Sequence, residues 1–308
     1  MTSGFASLHP QARGRRAMTL AGTQETPELI VNADDFGASE AVNQAVALAH
    51  RHGVLTSASL MVAGDAAEEA VAMARSLPSL AVGLHLVLSD GPAVLSHKQA
   101  PHLVDAQGRI ARRGPAASIQ YGFSRQARRE LAWEIASQFE AFARTGLPLA
   151  HVDGHEHLHL HPAVLPRVIA LGKEFGAHGL RLPRDELRLA LSYDRSHLPT
   201  KLLWAVVFDA ACLAWRQRVL QAGFVITDRV YGLFQTGRMA EAYVLRLLAS
   251  FRARTAELYL HPTTDKTAVP LGPNSGDLAT LLSPAVRRIV ETRGFRLTTY
   301  PAMTARRL

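Results

Sequence analysis

The chain has 308 residues, of which 48% are hydrophobic and 19% charged, so it has enough apolar material for one large domain or two small ones. This composition excludes collagen-like, coiled-coil and globally disordered proteins. The 34 Lys and Arg residues exceed the 26 Asp and Glu residues and give a net charge of +8, but they form no dense basic run interleaved with aromatics, so we expect no nucleic-acid partner.

The N-terminal segment and the single cysteine bear on localisation. Residues 1–26 contain three arginines but no apolar stretch after them, which argues against a signal peptide and predicts a disordered leader before one domain at 27–308. No stretch reaches about 18 uninterrupted apolar residues, the length of a membrane span. Cys212 cannot form an internal disulfide, so a reducing compartment fits and we expect a cytoplasmic protein.

From Glu28 onward, short β-rich runs alternate with helical patterns that begin and end at recognisable caps, such as Ser39 and Gly53 around the first helix. The eight predicted strands lie at 28–33, 54–62, 80–87, 149–153, 178–182, 224–230, 256–260 and 294–299. Eight alternating units are the count that a closed barrel requires, so we predict a single α/β domain with a (β/α)-barrel-like, TIM-barrel-related fold. A doubly wound open sheet is the alternative.

Long segments follow three of these strands, at 88–123, 183–223 and 261–282. In a barrel they would lie as long loops over the C-terminal face, where ligands bind. The second contains an apolar insertion with Trp204 and Trp215 and basic flanks, which predicts an interfacial helix at 201–218. That helix could touch the inner face of the membrane peripherally, or equally pack on the barrel or on a second copy in a homodimer.

The first strand ends in the sequence Asn32-Ala33-Asp34-Asp35-Phe36-Gly37. Two adjacent carboxylates at a strand end are hard to explain structurally, because Asp is disfavoured in strands and costly when buried and unpaired. If the strand continues, Asp34 and Asp35 point to opposite sides and have different roles. His85, in the third strand, is by itself a weak signal, since a lone buried histidine is more often a core residue than a metal ligand.

The fourth strand leads into the sequence HVDGHEHLHLHP at 151–162. Its histidines and Asp153 occupy alternate positions, which on an extended chain would place the imidazoles and the carboxylate on one side. Imidazole with carboxylate is a ligand set for a divalent transition metal. His261 ends the seventh strand in the same way, so polar side chains from strands one, three, four and seven are predicted to converge on one face of a closed sheet.

These strand ends resemble the YdjC-like carbohydrate deacetylase family, which includes chitooligosaccharide deacetylases, over roughly residues 28–300. The segment from LRLPRDE through ITDRVYGLFQTGRMAEA is most similar to the hopanoid-biosynthesis-associated HpnK branch. The resemblance implies a barrel-like fold, one divalent metal ion (Mg, Zn, Mn, Co or Ni) and removal of acetyl from an N-acetylated sugar.

Carried over to this sequence, the resemblance implies that Asp35, His85 and His155 bind the metal, that Asp34 is the catalytic base and that His261 is the catalytic acid. Four further candidates are expected to bind substrate or to orient the ligands: Asp153, His151, His157 and Arg181. From the sequence alone, Arg181 could hold substrate, orient a carboxylate or lie on the surface.

The HpnK resemblance and the apolar insertion favour a glycolipid substrate such as an N-acetylglucosaminyl hopanoid. Gly154 and Glu156 depart from the residues expected in the enzymes that act on sugar oligomers, although a chitooligosaccharide such as diacetylchitobiose is the alternative substrate. Two further alternatives are a non-catalytic metal- or sugar-binding protein and a metal-dependent phosphoesterase, which would usually need a second metal or a basic phosphate clamp.

Overall fold

The computed structural model describes Met1 and residues 26–110, 112, 114–266, 269 and 271–306, so most of the predicted leader lies outside the described residues. The strands are β1 Glu28–Phe36, β2 Ser57–Leu60, β3 Ala81–Leu86, β4 Gly91–Pro92, β5 Arg109–Ile110, β6 His151–Gly154, β7 Gly179–Leu180, β8 Arg229–Tyr231, β9 Thr255–Leu260 and β10 Arg296–Leu297. The helices are α1 Glu40–His52, α2 Ala67–Arg75, α3 Gly114–Phe123, α4 Arg125–Arg144, α5 Leu165–Glu174, α6 Leu187–Tyr193, α7 Leu198–Gln221, α8 Glu241–Ser250, α9 Ser275–Leu282, α10 Pro284–Thr292 and α11 Tyr300–Ala305.

The main sheet is parallel, and its strands neighbour one another in the order β7-β6-β3-β2-β1-β9-β8. Consecutive strands lie side by side without the reversal that defines a doubly wound sheet. A parallel bridge between Gly179 of β7 and Val225, four residues before β8, brings the two edges together. The predicted (β/α)-barrel-like fold is confirmed.

The eighth predicted strand does not take the expected place between strands seven and one. β9 pairs directly with β1 from Glu28 to Ala33, and β2 pairs with the other edge of β1 from Asn32 onward. A strand has only two edges, so β10 can pair only with the first residues of β1 beside β2, where Glu28 is opposite Arg296. The barrel wall therefore has seven strands, with the short eighth added at the start of β1.

Side chains cap the starts of α1 and α4, and the predicted cap at Ser39 is one of them. The Ser39 side chain accepts a hydrogen bond from the Val42 amide at 3.3 Å, and Ser124 accepts one from the Ala127 amide at 3.1 Å. The three long segments follow β3, β7 and β9 as expected, but they are not plain loops. The segment 88–123 contains the β4–β5 hairpin and α3, and 183–223 contains α6 and α7.

Helix α7 is longer than the predicted 201–218 segment. Its 24 residues are long and apolar enough, by length and composition, to cross a membrane. The inference that no segment could do so is therefore wrong, although no uninterrupted apolar run in it reaches 18 residues. Asp209 breaks the apolar run in the sequence, but it does not end the helix, which is otherwise apolar over most of its length. In this structure the helix lies along the barrel, where Cys212 and Val219 are buried against the hydrophobic core.

The apolar core lies between the sheet and the surrounding helices, whereas the inside of the barrel is polar. Tyr300 of α11 closes the lower end, where the strands begin. Its ring stacks on His151 with centroids 5.2 Å apart, and its hydroxyl donates a hydrogen bond of 2.6 Å to Glu257. Glycine makes this packing possible, because a Cβ at Gly179 would lie 2.0 Å from the Tyr300 ring.

We expect Tyr300→Phe to lower the free energy of unfolding by about 1–3 kcal/mol, because the buried Glu257 carboxylate loses a donor. The control is Tyr193→Phe, since the Tyr193 side chain is half-exposed and its hydroxyl makes no hydrogen bond within the described residues. Urea unfolding followed by circular dichroism measures both. Equal stabilities of the two variants would contradict this role of Tyr300.

Candidate metal centre and active site

The two aspartates reach the same site because β1 is irregular at its end. Relative to β2, the register shifts between Ala33 and Phe36, so β1 has one extra residue there, and Asp35 has a φ of 62°. A non-glycine residue in this left-handed region costs on the order of 1–2 kcal/mol. The expectation that Asp34 and Asp35 point to opposite sides is therefore wrong, since it assumed a regular strand.

Asp35, His85 and His155 converge as predicted, and one donor atom of each lies within 4.8 Å of the others. The Asp35 Oδ1 atom is 3.4 Å from His85 Nε2 and 3.2 Å from His155 Nδ1. Asp35 and His85 are buried, whereas His155 is half-buried and forms the open side of the cluster. These three side chains could hold a metal ion.

The orientation of His85 fits a cation at this position. Asp153 Oδ1 lies 2.8 Å from His85 Nδ1, so the other ring nitrogen faces Asp35. That nitrogen, Nε2, is buried and has no hydrogen-bond partner within the described part of the chain. Carboxylate–histidine pairs of this kind orient histidine ligands in known metal sites. The donor set and the unpaired nitrogen therefore fit a divalent metal.

The carboxylates around His85 favour its protonated form. Burial lowers the pKa of His85, but the carboxylates of Asp153 and Asp35 raise it to about 10. Burial raises the pKa of Asp35, but His155 and His85 hold it well below its usual range. A metal must displace the proton on His85, so its affinity should increase with pH up to the raised pKa.

Arg181 lies at the centre of the barrel and is fully buried. Its guanidinium binds both oxygens of Asp34, at 2.7 and 2.8 Å, and contacts Asp153 and Glu257 at 2.7 Å each. The ring of Tyr259 covers the guanidinium at 4.7 Å from its centroid. Arg181 is therefore neither a surface residue nor accessible to substrate, and of the three roles open from the sequence it has the one that orients a carboxylate.

Two polar residues that sequence reasoning did not single out complete this network. Ser59 donates a hydrogen bond of 2.7 Å to Asp153, and the Asn32 amide donates to both Ser59 and Asp34 at 2.8 Å. The sequence signal that could have identified these two residues is the placement of polar residues at alternate positions of buried strands. His151, below them, is fully buried with Nε2 3.0 Å from Ser59 Oγ, so it supports Asp153 rather than reaching substrate.

The segment after Asp153, in which histidines occupy alternate positions, does not have an extended conformation. β6 ends at Gly154, and the next residues, His155–Leu160, form a 3-10 turn in which Glu156 and His157 have φ values of 52° and 56°. No β-pairing extends beyond Gly154 within the described residues, so period two ends there. The expectation that all these histidines share one side is wrong.

Each later histidine of this segment has a separate environment. His157 Nε2 lies 3.0 Å from the Tyr259 hydroxyl, and its ring packs edge-on against Phe208 of α7. His159 is buried against the Arg181 carbonyl, and burial lowers its pKa to about 4. His157 is thus at the boundary between the site and α7, whereas His159 is structural.

His261 follows β9 and faces Asp34. Its backbone amide donates to the Asp277 carboxylate at 2.9 Å, which fixes the chain at this point. Its Nε2 atom is 4.0 Å from Asp34 Oδ2, and its buried Nδ1 atom has no hydrogen-bond partner among the described residues. Asp34 and His261 therefore lie close together beside the candidate metal centre.

Relatives in other organisms are similar to most of this chain. A carbohydrate deacetylase from Geobacillus stearothermophilus is 34% identical over 280 residues, 88% of this chain and 96% of that protein. A chitooligosaccharide deacetylase from Serratia marcescens is 31% identical over 281 residues, 87% of this chain and 96% of that protein.

A solved structure shares the fold. A protein from Enterococcus faecalis V583, described as a candidate cellobiose-phosphate cleavage protein, superposes with a TM-score of 0.70 at 25% identity, over 90% of this chain and 99% of that one. The YdjC-like protein family model matches residues 28–292, which include the whole cluster of metal-binding candidates. The chain belongs to the YdjC-like family.

Proposed function

We propose that the chain is a metal-dependent hydrolase that removes acetyl from an N-acetylated carbohydrate. The observation that carries the proposal is the cluster of Asp35, His85 and His155 with Asp34 and His261 beside it. The relatives from Geobacillus and Serratia, which are named as deacetylases of carbohydrate and chitooligosaccharide, support the same reaction class. A non-catalytic binding protein would need the metal ligands but not the adjacent Asp34 and His261.

Asp35, His85 and His155 would hold the metal. When bound, a divalent ion supplies the Lewis acid that an unreactive amide needs. Asp34 takes a proton from the attacking water, since Arg181 fixes its two oxygens without occupying all their lone pairs. His261 gives a proton to the departing sugar amine as the C–N bond breaks, so one water and one amide yield acetate and a free amine.

We expect Asp35→Asn and His155→Ala each to lose bound metal, because the first removes the carboxylate charge and the second removes one imidazole from the three converging ligands. His161→Ala is the matched control, since His161 belongs to the same histidine-rich segment but not to the cluster. Metal content per chain after dialysis, measured by plasma mass spectrometry, tests the assignment. Unchanged content in the first two variants would show that the metal is held elsewhere.

We expect Asp34→Asn to reduce acetate release by about 10²–10⁴-fold while metal content stays at the wild-type level, because general base catalysis contributes about that much. The neighbouring Asp35→Asn variant should instead lose both acetate release and bound metal. Steady-state acetate release and metal content of the two variants separate the roles of these carboxylates. Full activity of Asp34→Asn would exclude it as the base.

The finer proposal is that the substrate is a glycolipid, such as an N-acetylglucosaminyl hopanoid, and that the protein is peripheral at the inner face of the membrane. The resemblance of the middle segment to the HpnK branch suggests this substrate, and one observation supports it, namely the contact of 5.5 Å between the rings of Phe208 in α7 and His157 at the site. An apolar substrate tail could therefore leave the site along α7. The Serratia relative equally supports a chitooligosaccharide.

Acetate release from an N-acetylglucosaminyl hopanoid and from diacetylchitobiose, each with and without EDTA, tests both levels of the proposal. We expect EDTA-sensitive release, with the glycolipid preferred by kcat/KM. Preference for diacetylchitobiose would overturn only the glycolipid. No release from either by metal-loaded protein would overturn the deacetylase and favour the binding protein or the phosphoesterase.

A further inference from the structure

Helix α7 carries large apolar residues on both sides, but only one side of it is covered. Cys212 and Val219 are buried in the hydrophobic core, with Phe208 packed beside them. The opposite side is exposed, and its most exposed large apolar residues are Leu202, Leu203, Val206, Val207 and Leu213. Among them, Val206 is 70% and Leu213 is 65% exposed. A helix that is apolar on both sides is usually covered on both, so this exposed side indicates a partner.

A cavity of about 250 Å³ lies next to α7, between that helix, the residues after β7 and the chain around β8. Four arginines line it, namely Arg184, Arg216, Arg229 and Arg252. Two carboxylates also line it, but both have partners. Glu186 forms an ion pair of 3.3 Å with Arg229, and Asp228 accepts hydrogen bonds of 3.0 Å from the amide and hydroxyl of Thr255.

Three of these guanidinium groups are therefore available for a ligand. Arg184, Arg216 and Arg252 are exposed and have no ion pair or side-chain hydrogen bond within the part of the chain that the structure describes. Unpaired arginines around a cavity favour an anion, and the planar guanidinium is well suited to phosphate oxygens. With four arginines and two carboxylates, the lining of the cavity has a formal net charge of +2.

The cavity and the exposed apolar side of α7 adjoin each other. Leu213 belongs to that exposed side and also lines the cavity. Arg216, which lies three residues later and so on the same side of the helix, lines the cavity too. A negatively charged group in the cavity would thus lie at the edge of an apolar surface, which is the arrangement of a phosphate above the hydrocarbon of a lipid layer.

We propose that this cavity binds the headgroup phosphate of an anionic phospholipid while the exposed side of α7 enters the apolar part of the same leaflet. The inference rests on the membrane contact in the proposed function, but not on the deacetylase chemistry. Clustered basic residues beside an apolar helix are attracted to the negative surface of a membrane. A two-fold dimer through α7 is less favourable, because it would bring two positively charged cavities toward each other.

The test is co-sedimentation of the full chain with vesicles of phosphatidylcholine alone or mixed with phosphatidylglycerol. The variant combines Arg184→Gln, Arg216→Gln and Arg252→Gln. The control combines Arg125→Gln, Arg128→Gln and Arg167→Gln, which lose the same charge from exposed positions on α4 and α5 outside the cavity. Circular dichroism of each variant separates loss of vesicle binding from loss of folding. Acetate release from diacetylchitobiose separates loss of vesicle binding from loss of the proposed function.

We expect wild type and control to bind the anionic vesicles, with binding weakened by salt, and the cavity variant to bind them about 10- to 100-fold more weakly. Leu203→Ser should weaken binding to the same vesicles, whereas Leu48→Ser on α1 should not. Equal affinity of the cavity variant and the control would overturn the proposal. Binding of inorganic phosphate without binding of vesicles would also overturn the proposal, because it would assign the cavity to a soluble phosphate. A dimer in which the partner covers the exposed side of α7 would overturn it as well.

Discussion

One buried cation organises the inside of this barrel. Arg181 contacts three carboxylates, which come from β1, β6 and β9, while it lies on the segment immediately after β7. Charges removed from water are costly unless they are paired with good geometry, and loss of one partner leaves the others uncompensated. The strands can therefore close around this interior only in the arrangement that satisfies Arg181, and that arrangement also fixes Asp34 and, through Asp153, His85.

The site is built outward from this interior in two steps. Asp153 contacts Arg181 with one oxygen and His85 with the other, so the orientation of the imidazole is set from below. The irregular end of β1 then turns Asp35 toward the nitrogen of His85 that faces away from Asp153. Each candidate ligand is thus positioned by a contact in a deeper layer, and only His155 at the rim is partly exposed.

Alternation of strands and helices was sufficient to predict the barrel, and the position of polar residues at strand ends was sufficient to predict that Asp35, His85 and His155 converge. The failures have a common cause, which is that a period in the sequence persists only while strand pairing persists. β1 gains a residue at Asp35, and β6 stops at Gly154, so regular alternation misplaces the side chains beyond those two points. Arg181 could not be assigned from sequence, because its role depends on carboxylates that are distant along the chain.

The position of Tyr300 has a consequence for how the molecule is made. Its ring covers His151 and its hydroxyl binds Glu257, which in turn binds Arg181, so a residue that follows all three along the chain completes the interior of the barrel. During synthesis, every residue of the proposed catalytic cluster leaves the ribosome before this one. The nascent chain would therefore carry these charges around an open lower end until Tyr300 emerges, and the interior that supports the active site would be complete only after α11 has been synthesised.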